Sequence, residues 1–265
     1  MPCHSNEGFT ISRRALEKAF SQTQRRGITV RGLLVTSPGN PVGNVIDPDT
    51  FRSLFDFARD KHIHLVSDEV YAASVYNGSF VSASQILSSG EYDHNLVHII
   101  YGLSKDFGIA GLRVGILYTA NEKVLSASRN LTRFSGVSSH TQRLLVFLLQ
   151  DKVFVKSYLD ENKKRLHDRY NAVVEGLRKA GISCAESNGG LYCWVDFRSL
   201  LMSNNSDGEK ELWKRLLYEA KLNTTPGIAC HCSEPGWFRL CFANIDEESV
   251  DTVFTRLGLL IRRIK

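Results

Sequence analysis

The chain has 265 residues, 43% of them hydrophobic and 23% charged, which is the composition of an ordinary soluble globular protein. The formal net charge is +5, but acids and bases alternate, as in the run DENKKRLHDRY, a pattern typical of solvated helix faces and not of nucleic-acid-binding stripes. No apolar run is long enough to span a bilayer, and the first residues lack the apolar stretch of a signal peptide. We therefore expect a cytoplasmic protein with neither a membrane nor a nucleic-acid partner.

The six cysteines are not spaced like a disulfide framework, so we expect reduced thiols at Cys3, Cys184, Cys193, Cys230, Cys232 and Cys241. The segment Cys230-His231-Cys232 lacks a second ligand pair at zinc spacing. We therefore predict no metal site.

The first half of the chain alternates helical and strand-like segments. Asp47-Pro48 opens one helix, because Asp is a good N-cap and Pro at the first helical position loses no needed N–H. Strands are predicted at 32–36, 62–67, 96–101 and 114–119, and a further helix at 12–26. Continuous apolar strands that alternate with helices favour a mostly parallel sheet covered on both faces.

The second half has a different pattern of predicted secondary structure. Long helical stretches are predicted at 121–150 and 152–180, followed by a strand at 191–197, a helix near 208–221, a strand in WFRLCFA and a closing helix from about Ile245. This change predicts an α/β domain over residues 1–150 and a smaller α+β domain over residues 151–265.

The turn SPGNPVG at 37–43 directly follows the first strand. Its two prolines and two glycines fix an unusual backbone, for which we expect a cis X–Pro bond, and they aim the Asn40 amide. Taken alone, the segment is more typical of a tight structural turn than of a functional site.

Asp68 and Tyr71 follow the second strand. A carboxylate at the end of a buried strand loses hydration unless it meets a cation or hydrogen-bond donors, so Asp68 needs a partner such as a protonated ring nitrogen. The Tyr71 hydroxyl is close enough in sequence to reach the same group. A helix N-cap is the alternative role for Asp68.

Ser104 and Lys105 follow the third strand, and Arg113 lies among glycines before the fourth. A lysine in such a turn is a candidate nucleophile, although most lysines are solvated surface residues. An arginine between glycines, with a nearby serine, suits a phosphate, because it combines bidentate donation with close backbone approach.

Arg239 alternates with apolar side chains in the segment PGWFRLCF. An arginine in such a strand is rarely buried without a partner, so we expect a carboxylate from the protein or from a substrate.

Together these groups fit one cofactor, pyridoxal 5'-phosphate (PLP). Lys105 would form the Schiff base and afterwards move the α-proton as general base and acid. Asp68 would keep the pyridine nitrogen protonated, so that the ring can withdraw electrons from the α-carbon. Tyr71 and Asn40 would hydrogen-bond the 3'-oxygen of the ring.

The remaining candidates complete the set. Arg113 and Ser104 are predicted to hold the phosphate, and Arg239 to bind the α-carboxylate of an amino-acid substrate, near Asn40. The combination predicts an enzyme that acts at the α-carbon of amino acids.

The segments SPGNPVG, SDEVY, YGLSKDFGIAGLRVG and EPGWFRLCFA also resemble fold-type I aminotransferases, and more narrowly the 1-aminocyclopropane-1-carboxylate (ACC) synthase group. FARDKHIHLVSDEVYAAS, SSHTQRLL and NGGLYCWVDF extend the resemblance along almost the whole chain. It implies a fold-type I α/β architecture with part of the large domain, and a homodimer for the complete protein. It also implies the roles given above for Asn40, Asp68, Tyr71, Lys105, Arg113 and Arg239. Ser139 and Thr141 then lie near the active site shared between subunits.

Two departures from that family stand out. The first departure is in sequence: the family usually carries a serine three residues before the Schiff-base lysine, whereas this chain has Gly102. The chain also has the segment TRFSGVS at 132–138. Both features resemble the branch regarded as aminotransferases rather than synthases. The chain is also much shorter than the family's enzymes, and the matching part is C-terminal, so we expect an N-terminally truncated member.

Three functions therefore stay open at this point. Transamination is favoured by Gly102. A true ACC synthase, which forms ACC (the ethylene precursor) from S-adenosylmethionine, is the first alternative. A truncated, non-catalytic member that acts as an interaction module is the second. A nucleotide-binding domain is excluded by the absence of a GxGxxG or GxxxxGK[ST] turn.

Overall fold

The computed structural model describes residues 1, 3–88 and 92–264. The chain forms two compact units. The α/β unit comprises Ser12–Gly39 and Val45–Lys164, and the C-terminal unit comprises Met1–Ile11, Asn40–Asn44 and Arg165–Lys265. This division falls inside a long helix rather than at residue 150, and the predicted domain boundary stays a prediction.

The α/β unit is built on a four-stranded sheet in the order β1-β2-β3-β4. β1, β2 and β3 are parallel, and β4 is antiparallel to β3. The strands are β1 (Gly32–Thr36), β2 (His64–Asp68), β3 (Val97–Gly102) and β4 (Gly115–Thr119). In this register Asp68 lies opposite Thr36 and Ile100, so the carboxyl ends of three parallel strands meet at one edge. The mostly parallel sheet predicted from sequence is confirmed.

Among the described residues, seven α-helices begin in this unit: α1 (Arg13–Arg25), α2 (Pro48–Lys61), α3 (Ala83–Leu87), α4 (Leu103–Asp106), α5 (Glu122–Ser135), α6 (Ser139–Gln150) and α7 (Lys152–Lys179). α2 begins as predicted, with the Asp47 side chain accepting hydrogen bonds from the backbone N–H groups of Asp49 and Thr50. Its apolar face is buried and supplies much of the core, including Phe51, Leu54, Phe55, Phe57 and Ala58.

Several predicted element bounds differ from the structure, and three of these differences have a clear local cause. The stretch 121–150 is two helices, because Gly136 is extended and the Ser138 side chain caps the start of α6 by accepting from Thr141 N–H. β2 starts two residues later than predicted, since His62 takes a left-handed conformation that ends α2. The closing helix starts at Val250, because the chain near Ile245 still forms a 3-10 turn.

The C-terminal unit contains a second four-stranded sheet, in the order β5-β6-β8-β7, with every pairing antiparallel. Its further elements are β5 (Ser183–Cys184), β6 (Tyr192–Asp196), α8 (Ser206–Tyr218), β7 (Thr225–Pro226), β8 (Trp237–Cys241) and α9 (Val250–Ile264). An aromatic cluster fixes the sheet: Trp194 stacks on Trp237 at 6.0 Å between ring centroids, and Phe9 packs edge-on against Trp237 at 4.9 Å.

β4 lies at the edge of its described sheet, and its apolar side chains Ile116, Leu117 and Tyr118 are exposed. In the same unit Phe134 of α5 and Phe147 of α6 are also exposed. Exposed apolar edges promote association, so the α/β unit has surface that a neighbour would cover. No helix in the described ranges has both the length and the apolarity to cross a membrane.

Two histidines bridge β2 and β3 at the end of the sheet opposite Asp68. His64 Nδ1 and His98 Nε2 are 2.8 Å apart, and His98 Nδ1 is 2.8 Å from the Thr119 hydroxyl of β4. A nitrogen–nitrogen hydrogen bond requires one ring to donate and the other to accept, so a doubly protonated pair has no acceptor. Burial, and secondarily the charge of His64, lowers the pKa of His98.

This histidine pair should make stability depend on pH. The unfolded chain takes up a proton at His98 near the ordinary pKa of about 6.5, whereas the folded chain does so only at lower pH. Stability is therefore lost as the pH falls through that value. We expect the free energy of unfolding in urea to fall more steeply between about pH 7 and pH 5 for the native chain than for His98→Gln. The exposed His94 provides a control, His94→Gln, that should keep the native slope; equal slopes for all three would contradict the prediction.

Candidate active site

The α/β unit brings five predicted residues to the same edge of its sheet. Asp68 ends β2, Ser104 and Lys105 lie in α4 directly after β3, and Arg113 precedes β4. Tyr71 follows β2 and is 3% exposed. Lys105 Nζ lies 6.0 Å from the centroid of the Tyr71 ring, which places the amine within reach of a cation–π contact.

Asp68 is a half-buried carboxylate at this edge. Its Oδ1 accepts a hydrogen bond from Val70 N–H at 3.3 Å. Burial raises the pKa of Asp68, and hydrogen bonds from Val70 and the Thr36 side chain partly offset this. Within the described ranges no Lys, Arg or His lies within 4.0 Å of its oxygens. A carboxylate in this state fits a cationic ligand group such as a protonated ring nitrogen.

Asp106, next to Lys105, was not predicted from sequence. Its side chain is fully buried and accepts three hydrogen bonds: from Ala73 N–H at 2.8 Å, the Ser74 hydroxyl at 2.6 Å and the Tyr101 hydroxyl at 2.9 Å. Burial raises the pKa of Asp106 and, with the neighbouring carboxylate, raises the pKa of Tyr101, so the phenol stays protonated and donates. The only sequence signal was an acid beside a candidate lysine, which is equally typical of a solvated pair.

α7 also supports the Lys105 turn. The Tyr158 hydroxyl donates to the Phe107 carbonyl oxygen at 2.8 Å, and the two rings stack at 5.8 Å between centroids. Asn162 Nδ2 donates to the Asp106 carbonyl oxygen at 3.2 Å. Two side chains of α7 therefore hold the backbone of the two residues that follow Lys105.

The residues predicted to bind the phosphate lie at the same edge of the sheet but are more exposed than Tyr71. Arg113 is exposed, has a left-handed backbone, and donates through Nη1 to the Ala110 carbonyl oxygen at 3.0 Å. Ser104 lies one residue before Lys105 and is half-buried. A Cβ added at Gly102 would lie 3.2 Å from the Val114 carbonyl oxygen, so a side chain there needs a small shift of that strand.

The C-terminal unit brings Asn40 and Arg239 together. Arg239 Nη1 donates to Asn40 Oδ1 at 3.1 Å, Nη2 donates to the Thr225 hydroxyl at 3.3 Å, and the guanidinium carbon lies 4.6 Å from the centroid of the Tyr192 ring. Of the two carboxylate sources expected for Arg239, the internal one is not found, because no acid in the described part of the chain comes within 4.0 Å of Arg239. Neutral acceptors and a ring hold the guanidinium and leave its charge for a ligand. The bonds Ser37–Pro38 and Asn40–Pro41 are both cis, as expected for this turn.

Glu209 of α8 supports the strand that carries Arg239. Its side chain is 1% exposed and accepts from Ile228 N–H at 2.8 Å and from Gly236 N–H at 2.7 Å. Gly236 directly precedes β8, so the carboxylate ties the start of this strand to α8. The sequence placed Glu209 on a helix among other charged residues and gave no sign of its burial.

Solved structures share this architecture. Aspartate aminotransferase from Thermus thermophilus with maleate matches 97% of the chain with a TM-score of 0.81 at 22% identity, over 62% of its own length. The aromatic aminotransferase from Pyrococcus horikoshii OT3 matches 100% of the chain with a TM-score of 0.81 at 20% identity, over 67% of its length. The fold is therefore that of fold-type I PLP transferases.

The family follows from sequence. The family model for aminotransferase class I and II matches residues 1–257, and the chain belongs to this family. Similar relatives include 1-aminocyclopropane-1-carboxylate synthase 6 from Oryza sativa subsp. japonica, 48% identical, and the probable aminotransferase ACS12 from Arabidopsis thaliana, 47% identical. Each alignment covers 97% of this chain but only 48% and 52% of the relatives, so the chain spans about half their length.

Removing the Glu209 charge should cost stability. Glu209→Gln places an amide N–H against one of the two backbone N–H donors, which leaves a buried donor without an acceptor and costs about 1–3 kcal/mol. The exposed Glu211→Gln, on the same helix, should change the free energy of unfolding by less than about 0.5 kcal/mol. Urea unfolding of both variants provides the measurement, and an equal loss in the two would contradict the role given to Glu209.

Proposed function

We propose that this chain performs PLP-dependent chemistry at the α-carbon of amino acids, with transamination favoured. The observation that carries the proposal is the edge of the α/β sheet, where the Lys105 amine lies 6.0 Å from the Tyr71 ring and Asp68 is half-buried without a cation. Membership of the aminotransferase class I and II family supports the same chemistry.

The groups of the α/β unit fit PLP. Bound PLP supplies an electron sink for the α-carbon. Lys105 would hold the cofactor and move the α-proton at Nζ, while Asp68 would supply the negative charge that a protonated ring nitrogen needs. Tyr71 would hydrogen-bond the 3'-oxygen of the cofactor ring, and Ser104 and Arg113 would donate hydrogen bonds to the phosphate.

The C-terminal unit supplies the expected substrate group. Arg239 has neutral partners, so its full positive charge is available for an α-carboxylate, which a guanidinium can bind through two parallel hydrogen bonds. Asn40 accepts from Nη1 and would orient the fork of Arg239. A role for Asn40 at the cofactor oxygen, a homodimer and a cytoplasmic location remain predictions from sequence.

A second candidate is ACC formation from S-adenosylmethionine. The relative from rice that is 48% identical is named an ACC synthase, which favours this reaction. Gly102 favours transamination, because this position carries a phosphate-contacting serine in the synthases that the chain resembles. The matched region covers only about half of each relative, so similarity alone does not choose between transamination and ACC formation. A direct assay of each reaction separates them.

The first test is a visible absorption spectrum of the purified chain after addition of PLP. We expect a band that disappears in Lys105→Ala and persists in Lys123→Ala, since Lys123 is an exposed lysine at the start of α5. The band should shift with aspartate or an aromatic amino acid for an aminotransferase, and with S-adenosylmethionine for a synthase. A folded, monodisperse chain without any lysine-dependent band would favour the non-catalytic interaction module.

Arg239 should control the affinity for the amino acid but not for the cofactor. Arg239→Lys keeps the charge but loses the two-pronged geometry, so the amino-acid concentration that gives half the spectral shift should rise about tenfold or more. Arg256→Lys, at an exposed position of α9, should leave that concentration unchanged. An unchanged value in Arg239→Lys would remove Arg239 from the substrate site.

A further inference from the structure

Two segments that carry proposed cofactor residues are joined by one buried carboxylate. Lys105 directly precedes Asp106 in α4, and Tyr71 directly precedes the 3-10 turn Ala72–Ser74. Asp106 Oδ2 accepts from Ala73 N–H at 2.8 Å, and Oδ1 accepts from the Ser74 hydroxyl at 2.6 Å. These two segments are separated by more than 30 residues along the chain.

The third donor fixes the same carboxylate to the sheet. The Tyr101 hydroxyl, on β3, donates to Asp106 Oδ2 at 2.9 Å. Asp106 therefore joins the Tyr71 turn, the Lys105 helix and β3 in one network whose carboxylate is fully buried. A buried carboxylate with three donors holds its neighbours firmly, because a broken bond would leave a charged group unsatisfied in the interior.

We propose that Asp106 is a positioning residue that fixes the Tyr71 ring against the Lys105 amine and so sets the reactivity of that amine. The inference rests on the proposed function for its catalytic meaning, but the geometry it describes is present without a cofactor. Asp106 acts through the Ala72–Ser74 turn that follows Tyr71 and through its own backbone, which is bonded directly to that of Lys105.

Two substitutions separate hydrogen bonding from charge. Asp106→Asn can keep its oxygen toward Ala73 N–H and Tyr101, while the Ser74 hydroxyl turns to accept from the new amide. Asp106→Ala removes all three acceptor contacts. If Asp106 acts by position, Asn should resemble the native chain and Ala should not.

The test is the acetylation rate of Lys105 relative to Lys123 in the cofactor-free full chain, measured by mass spectrometry after brief labelling with acetic anhydride. We expect Asp106→Ala, which loses three hydrogen bonds, to change this ratio by at least about fivefold, the factor that corresponds to about 1 kcal/mol. Asp106→Asn should stay within about twofold of the native ratio. Ala58→Gly, a buried helix position in α2, lowers stability without touching the network and should leave the ratio unchanged.

A second variant guards against misfolding of Asp106→Ala. Ser74→Ala removes one donor and keeps the carboxylate, so a smaller change in the same direction is expected. The proposal is overturned if neither Asp106→Ala nor Ser74→Ala changes the labelling ratio, or if Ala58→Gly changes it equally. Because the measurement needs no PLP, a chain that gives no lysine-dependent absorption band would fail the proposed function and still answer this question.

Discussion

The need to satisfy a buried carboxylate organises this protein. Asp106 in the α/β unit and Glu209 in the C-terminal unit are both almost completely buried, and both accept hydrogen bonds from backbone N–H groups of loops distant in sequence. An ionised acid in the interior is tolerated only where donors surround it, so each carboxylate fixes the loops that supply those donors. One of these loops directly follows Tyr71, and the other directly precedes the strand that contains Arg239.

A third acid follows the same rule. Glu69, 5% exposed, accepts from the Ser67 hydroxyl at 3.1 Å and from Ala83 N–H at 2.8 Å, and burial raises its pKa. It directly follows Asp68, so the strand end that presents Asp68 is tied to the start of α3. Asp68 itself accepts from Val70 N–H and from the Thr36 side chain, but unlike Glu69 it is only half-buried. This difference in burial separates the acid that ties the loop to α3 from the acid that we propose as the partner of a cationic ligand group.

The sequence predicted the parts of the site that depend on local order. Asp68 and Lys105 could be found because each follows an apolar strand, and strand ends gather at one edge of a parallel sheet. Asp106 could not, since two of its donors, Ala73 and Ser74, lie more than 30 residues away and nothing local marks their approach. The same reason explains Arg239: its Asn40 partner is 199 residues distant, and alternation with apolar residues indicated only that some acceptor was needed.

The candidate functional residues are divided between the two units, and this division decides how variants should be interpreted. The residues expected to hold PLP lie in the α/β unit, apart from Asn40, whereas the arginine expected to bind the α-carboxylate lies in the C-terminal unit. Each unit orders its own groups through its own buried acid, so a loss at Glu209 and a loss at Asp106 should affect different measurements. A change in cofactor binding therefore reports on the Lys105 network, and a change in amino-acid affinity with intact cofactor binding reports on Arg239. A variant that weakens cofactor binding and amino-acid affinity equally would have altered global stability and not local positioning.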